Sequence, residues 1–219
     1  KDIVAGDFYW VEIAEEGGDE EILVAAADCT GHGVPGAMVS VVGANGLERC
    51  LREFKLHRPA DILDKLTDLV IDTFETSDHE VKDGMDISLV AYHPKNKTLQ
   101  YAGANNPLWI VRKDIEGIEL IEIKADKQPI GKFDYRKPFT NHTVQLQDGD
   151  CVYMFTDGYA DQFGGPQGKK FKYKTLKDLL LSMHDKNMQI QIALIEEAFM
   201  DWKGNYEQID DVCLIGFRV

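Results

Sequence analysis

Period-two and period-3.6 apolar patterns divide this chain into blocks. Runs rich in β-branched and aromatic residues predict strands over 7–14, 21–28, 86–93, 98–104, 107–113, 118–124, 141–146, 151–157 and 211–219. Short polar turns separate neighbours, at Glu16-Gly17-Gly18-Asp19, Pro94-Lys95-Asn96, Glu116-Gly117 and Asp148-Gly149, so consecutive strands read as antiparallel hairpins. Helical periodicity predicts helices over 34–54, 59–74, 175–184 and 187–202. The second starts on Pro59 and repeats apolar residues at Ile62, Leu66, Leu69, Val70 and Phe74; the last puts Ile190, Leu194 and Ala198 on one face. Helices thus fall in two pairs, with most strands grouped between them. That grouping predicts an α+β domain, and one helix pair per sheet predicts a four-layer αββα sandwich of mostly antiparallel sheets. The stretch 128–141 lacks periodicity and carries Pro129, Gly131 and Pro138, as expected of an irregular surface lobe. Trp10, Trp109 and Trp202 are expected in the core.

Charge narrows the range of partners. The 219 residues carry 38 Asp plus Glu against 24 Lys plus Arg, a formal net charge of −14. Nucleic acid demands a basic footprint and anionic membrane surfaces attract one, so neither partner is expected. The four cysteines, Cys29, Cys50, Cys151 and Cys213, form no C-x-x-C pair and sit in apolar settings, which reads as reduced thiols of a cytoplasmic protein. No signal peptide and no apolar run long enough to span a bilayer is present. The sequence opens on Lys1 and enters a strand-like pattern by Ile3, as expected of one domain of a longer protein.

Carboxylates mark the ends of the apolar runs. Asp28 closes "EILVAAAD", Asp157 closes "CVYMFTD", Asp86 opens a strand after Gly84, Asp210 and Asp211 open the last strand, and Asp7 stands where the first begins. One such Asp is explained by turn or cap chemistry. The whole set is not, because strand termini meet at the edge of a sandwich and no run of Lys or Arg accompanies them. Clustered carboxylates raise one another's pKa, and a divalent cation relieves the repulsion. An all-oxygen set selects Mg²⁺, Mn²⁺ or Ca²⁺ over Zn²⁺. Two such ions with water between them can attack phosphorus without a protein nucleophile, and no G-x-S-x-G element competes.

The ordered motifs "AGDFYW", "ADCTGHGVPGAM", "GMDISLV", "YAGANNPLW", "PIG", "QDGDCVYMFTDGYAD" and "DDVCLIGF" resemble the PPM-type (protein phosphatase 2C-like) metal-dependent serine/threonine phosphatases, and more narrowly their bacterial SpoIIE-like branch. The resemblance spans nearly the whole chain. It implies an αββα sandwich, two Mn²⁺ or Mg²⁺ ions, and hydrolysis of phosphoserine or phosphothreonine by a water bridging them. Asp7 would ligate one ion, Asp28 would bridge both, and Cys29, where many relatives carry glycine, would lend a backbone carbonyl. Asp157 and Asp210 would hold the other ion, with Asp211 supporting the loop or a metal-bound water. Asp28 and Asp157 are the residues on which catalysis would depend. Asp83 or Asp86 would serve a weaker third ion.

His32 reads either as a proton donor to the leaving oxygen or as a solvent-facing loop residue, and Asn105 and Asn106 either shape the cleft wall or make a turn before Pro107. His57, His79, His93, His142 and His184 show no ligand spacing and read as surface residues. The resemblance also implies a phosphoprotein substrate such as a STAS-domain anti-anti-sigma factor and an N-terminal sensor, so that residues 1–219 form one catalytic domain at the C-terminal end of a longer protein. Two alternatives are a catalytically silent interaction module, against which every expected aspartate stands, and a phosphodiesterase of small nucleotides, for which no base-binding pocket is legible.

Overall fold

A computed structural model describes residues 5–31, 33–75 and 84–219. His32, His79 and Asp83 lie outside the described residues. The chain runs β1 (Phe8–Glu16), β2 (Asp19–Cys29), α1 (Gly33–Arg52), α2 (Pro59–Glu75), β3 (Met85–His93), β4 (Thr98–Ala104), β5 (Leu108–Lys113), β6 (Ile118–Ile123), β7 (His142–Gln145), β8 (Cys151–Phe155), α3 (Gly158–Asp161), β9 (Phe163–Gly164), β10 (Lys169–Lys170), α4 (Tyr173–Ser182), α5 (Met188–Lys203) and β11 (Leu214–Arg218).

Two antiparallel sheets form, one in the order β1-β2-β3-β4-β7 and the other β11-β8-β5-β6; β9 and β10 make a separate two-stranded ladder. Strand alternation decides which core each side chain enters. In β2, Leu23, Ala25 and Ala27 join a core with Val39, Leu47, Ile62, Leu63 and Leu66 of α1 and α2, while Val24 and Ala26 face the opposite way. In β8, Cys151, Tyr153 and Phe155 pack with Leu176 and Leu180 of α4 and Phe199 of α5. Val152 and Met154 instead meet Val24, Val90, Tyr101 and Ile110 in a core between the two sheets. Both faces of the central strands are therefore buried, which is why they read as continuous apolar runs. The layers are helix, sheet, sheet, helix, as the grouping of elements predicts.

Boundaries move at the polar ends. The strand expected over 151–157 stops at Phe155, because the backbone turns helical at Asp157, which holds the N-cap position of the short helix α3 without a side-chain capping bond. The strand expected from 211 starts at Leu214, after the Asp210–Asp211 backbone has turned to place its carboxylates. α5 starts where the Asn187 side chain accepts the Ile190 N–H at 2.9 Å. The 128–141 stretch is irregular as expected, but not all surface: Gln128, Ile130 and Phe139 are buried, and Ile130 bridges to Met85. Trp10 and Trp109 are core residues and Trp202 is half-buried beside the α4–α5 core. All four cysteines are free; Cys29, Cys50 and Cys151 are buried and Cys213 is half-buried.

Candidate metal centre

The carboxylates come together where the edges of the two sheets meet. Sheet register sets Asp28, next to last in β2, directly across from Asp86 of β3. Like charges so placed repel. Asp86 is held by the Asn105 side-chain amide, Nδ2 to Oδ1 at 2.8 Å. Asn105 adopts a left-handed backbone (φ 58°), which its short polar side chain tolerates. Asn106 is buried, and its carbonyl accepts the Tyr101 hydroxyl at 2.7 Å. The AGANNP segment thus both turns the chain and orients a cleft carboxylate.

The second sheet supplies the other wall. Asp157 stands two residues beyond β8 and makes no side-chain capping bond. Asp210 Oδ1 accepts the Asp211 N–H at 2.9 Å, and buried Asp211 accepts the Gly6 N–H through Oδ2 at 2.8 Å. That second bond ties the segment before β1 to the segment before β11 and brings Asp7 beside Asp210 and Asp211. Asp211 is thus a positioning residue. Gly158 explains the glycine of the TDG motif: a Cβ there would lie 1.9 Å from the Asp211 carbonyl oxygen, so only glycine allows the two segments to approach. Gly36 plays the same part at the head of α1, where a Cβ would meet the Gly31 carbonyl oxygen at 2.4 Å.

These carboxylates act on one another electrostatically. Burial, then the charges of Asp7, Asp157, Asp210 and Asp86, pushes the Asp28 carboxyl from the ordinary 3.8 up to about 8. Asp7 rises to about 6, through burial and then Asp211, Asp210 and Asp157, against the opposing hydrogen bond from Thr156. Asp157 is raised by burial, Asp161, Asp210 and Asp86, with Lys170 opposing. Lys170 itself is bonded to Asp161 at 2.7 Å. Asp7 Oδ2 is buried and accepts no hydrogen bond.

A buried orphan oxygen within a set of mutually repelling carboxylates fits hard divalent cations. Asp28 feels Asp7 from one wall and Asp157 and Asp210 from the other, as a bridging carboxylate would. The set is spread: among the described residues, no three of these aspartates bring one oxygen each within 4.8 Å of one another, which fits ions that keep water ligands rather than a closed protein cage.

Cys29 is the last residue of β2. Burial, then Asp28 and Asp7, raises its thiol, so without metal the sulfur stays protonated, and the ligand this residue offers a hard cation is its backbone carbonyl. That oxygen faces the Gly6–Asp7 segment, 3.4 Å from where a Gly6 Cβ would stand.

One cleft residue left no mark in the sequence. Tyr173, the first residue of α4, packs its ring on Trp109 and Phe155. Its hydroxyl is raised by burial and then by the charges of Asp157, Asp161, Asp28 and Asp86, which places it at the rim of the cluster. The histidines depart from a surface reading. His184 is buried, and His57 and His93 are largely covered, at 20% and 14% side-chain exposure. His142 is half-buried and stacks on Tyr101.

Comparison with known proteins identifies the family and the fold. The profile of the family described as Stage II sporulation protein E (SpoIIE) matches residues 18–219. Among solved structures, the SiaA-PP2C domain of Pseudomonas aeruginosa is 27% identical with a TM-score of 0.87, over 100% of this chain and 82% of that one. The PP2C phosphatase domain of SpoIIE from Bacillus subtilis, solved with a fragment of its regulatory domain, is 18% identical with a TM-score of 0.74, over 100% and 59%. The RsbU and RsbW domains of a Mycobacterium tuberculosis protein give 18% identity and a TM-score of 0.73, over 99% and 56%. This chain therefore spans little more than half the length of the last two. No curated protein matches. With a family profile covering most of its length and the PP2C fold throughout, the chain belongs to the SpoIIE family of PPM-type bacterial phosphatases.

Proposed function

We propose that residues 1–219 form the catalytic domain of a metal-dependent protein serine/threonine phosphatase, joined in a longer protein to a sensor. The observation that carries this reading is the convergence of Asp7, Asp28, Asp157 and Asp210 in one cleft, with the Asp28 carboxyl raised to about 8 by burial and then by its like-charged neighbours. Such a cluster is an unfinished cation site. Asp28 would contact both of two Mn²⁺ or Mg²⁺ ions, Asp7 and the Cys29 carbonyl one of them, and Asp157 and Asp210 the other. When bound, the ions supply Lewis-acid polarisation of the phosphoryl group and activation of the attacking water.

The chain itself does the positioning. Asp211, through the Gly6 N–H, holds the Asp7 segment against the Asp210 segment. Asn105 fixes Asp86, the described candidate for a weaker third ion. Tyr173 flanks the opening, its ring packed on Trp109 and Phe155.

The substrate we propose is a phosphoserine or phosphothreonine on a small signalling protein, such as a STAS-domain anti-anti-sigma factor. Two relatives support a regulatory partner: one structure joins RsbU and RsbW domains, and another concerns the bacterial stressosome as a modular system controlling secondary messenger signalling. Among the described residues no helix is long and apolar enough to cross a membrane, and the free cysteines suit the cytoplasm, where we place the domain.

The test is phosphate release from a phosphoserine peptide with Mn²⁺ or Mg²⁺, and after chelation. Metal-dependent release supports the reading. No release with either ion would make the domain a silent interaction module.

A further inference from the structure

The opposite end of the five-stranded sheet holds a second polar cluster. Glu21 lies in β2 seven residues before Asp28, about 23 Å away at 3.3 Å per residue. It has no solvent exposure. The β1–β2 register pairs Glu21 with Ala14 and Asp19 with Glu16, so Glu16 lies diagonally beside Glu21. The β2–β3 ladder pairs Ile22 with Tyr92, which brings His93 next to Glu21. His57 reaches the same point from the connection between α1 and α2.

The two oxygens of Glu21 are treated differently. Oε2 bonds His57 Nδ1 at 2.6 Å. Oε1 is buried and accepts no hydrogen bond. His93 Nε2 stands 3.6 Å from it, and 3.7 Å from Glu16 Oε2. Those distances exceed hydrogen-bond range. They approach the separation of neighbouring ligands on a tetrahedral ion, about 3.3–3.4 Å for metal–ligand bonds of 2.0–2.1 Å. One atom each from Glu16, Glu21 and His93 lie within 4.8 Å of one another, the one such trio among the described residues. A buried carboxylate oxygen left without a donor costs free energy. A cation between the three atoms removes that cost.

We propose that Glu16, Glu21 and His93 bind one Zn²⁺, leaving a fourth position open to water. A mixed imidazole and carboxylate set suits Zn²⁺ better than the hard ions expected in the all-oxygen cleft. His57 is the positioning residue: by holding Oε2 it aims Oε1 at the ion, as outer partners of metal ligands do. A surface groove of about 280 Å³ lined by Glu16, Asp19, His93 and Lys95 gives the ion access. Bound zinc would link the β1–β2 turn to β3 and, through His57, to the α1–α2 connection. The site is independent of the phosphatase reading.

The test is equilibrium dialysis of Zn²⁺ against chelator-stripped protein in excess Mg²⁺, which competes for the all-oxygen cleft. Wild type and Asp28→Asn should each retain one tight equivalent. His93→Ala should weaken it by about 100-fold or more, and His57→Ala by about 10–100-fold. Imidazole ¹⁵N spectra of the wild type keep the test valid should a variant misfold: one equivalent of Zn²⁺ should shift the His93 Nε2 resonance and leave His142 and His184 in place. No tight equivalent, binding unchanged in His93→Ala, loss in Asp28→Asn, or an unmoved His93 resonance would each overturn the site.

Discussion

Asp28→Asn should stabilise the metal-free protein at alkaline pH while abolishing its turnover. The folded Asp28 carboxyl keeps its proton up to about 8, against an ordinary 3.8. Between those values the folded state binds more protons than the unfolded chain. Stability from this group is therefore full below about pH 4 and lost as pH rises toward 8. The difference is about four pH units at about 1.4 kcal/mol each, a ceiling of roughly 6 kcal/mol. Asp28 is only half-buried, so solvent and counterions reduce the expected effect to about 2 kcal/mol. Asparagine carries no charge and escapes the loss. Thermal melts in chelator between about pH 5 and pH 9 should show little difference at the acid end. At the alkaline end Asp28→Asn should melt roughly 4–8 °C higher. Adding Mn²⁺ should reverse the order, because the wild type gains a ligand that the variant binds poorly. A variant that melts below the wild type at alkaline pH without metal would refute the repulsion argument and make Asp28 a structural residue.

Mn²⁺ or Mg²⁺ at a hundredfold excess over its dissociation constant should stabilise the wild type by about 3 kcal/mol, and a melting temperature indifferent to both would leave the cation site unsupported. Gly158→Ala drives a Cβ to 1.9 Å from the Asp211 carbonyl oxygen, so it should cost several kcal/mol, on the order of 3, and turnover with it; a melt and rate equal to wild type would show that the two segments do not meet as described. His32→Ala should be silent on an aryl phosphate, whose leaving group needs no proton, and silent or clearly slower on a phosphoserine protein, where general-acid help is worth ~10²–10⁴-fold; loss on the aryl ester equal to that of Asp28→Asn would make the histidine, and not the carboxylate cluster, the indispensable group.

The layers were legible because turn-bounded apolar runs and helical period survive burial: β2 and β8 read as strands from their continuous apolar runs although both faces are covered, and α2 carries its apolar stripe from Ile62 to Phe74. The strand-end aspartates were legible as a set because each interrupts an apolar run. Their exact placement was not. Thr156 and Asp157 continue a strand-like composition, yet α3, four residues long, begins there and is too short to show a period. The two-residue strands β9 and β10 are likewise too short. Tyr173 reaches the cleft only because α4 starts beside Trp109 and Phe155, a tertiary fact with no local signal. The Glu16–Glu21–His57–His93 cluster was illegible for the same reason: sheet register and an interhelical connection, not spacing, bring those residues together.

The most direct test of the central claim is phosphate release from a phosphoserine peptide by wild-type protein before chelation, after exhaustive chelation, and after return of Mn²⁺, with Asp28→Asn alongside. Loss of activity on chelation, recovery with Mn²⁺, and no activity from Asp28→Asn in any condition are the predicted results. Full activity after chelation, or an Asp28→Asn protein as fast as wild type, would contradict a reaction that depends on cations held by the aspartate cluster.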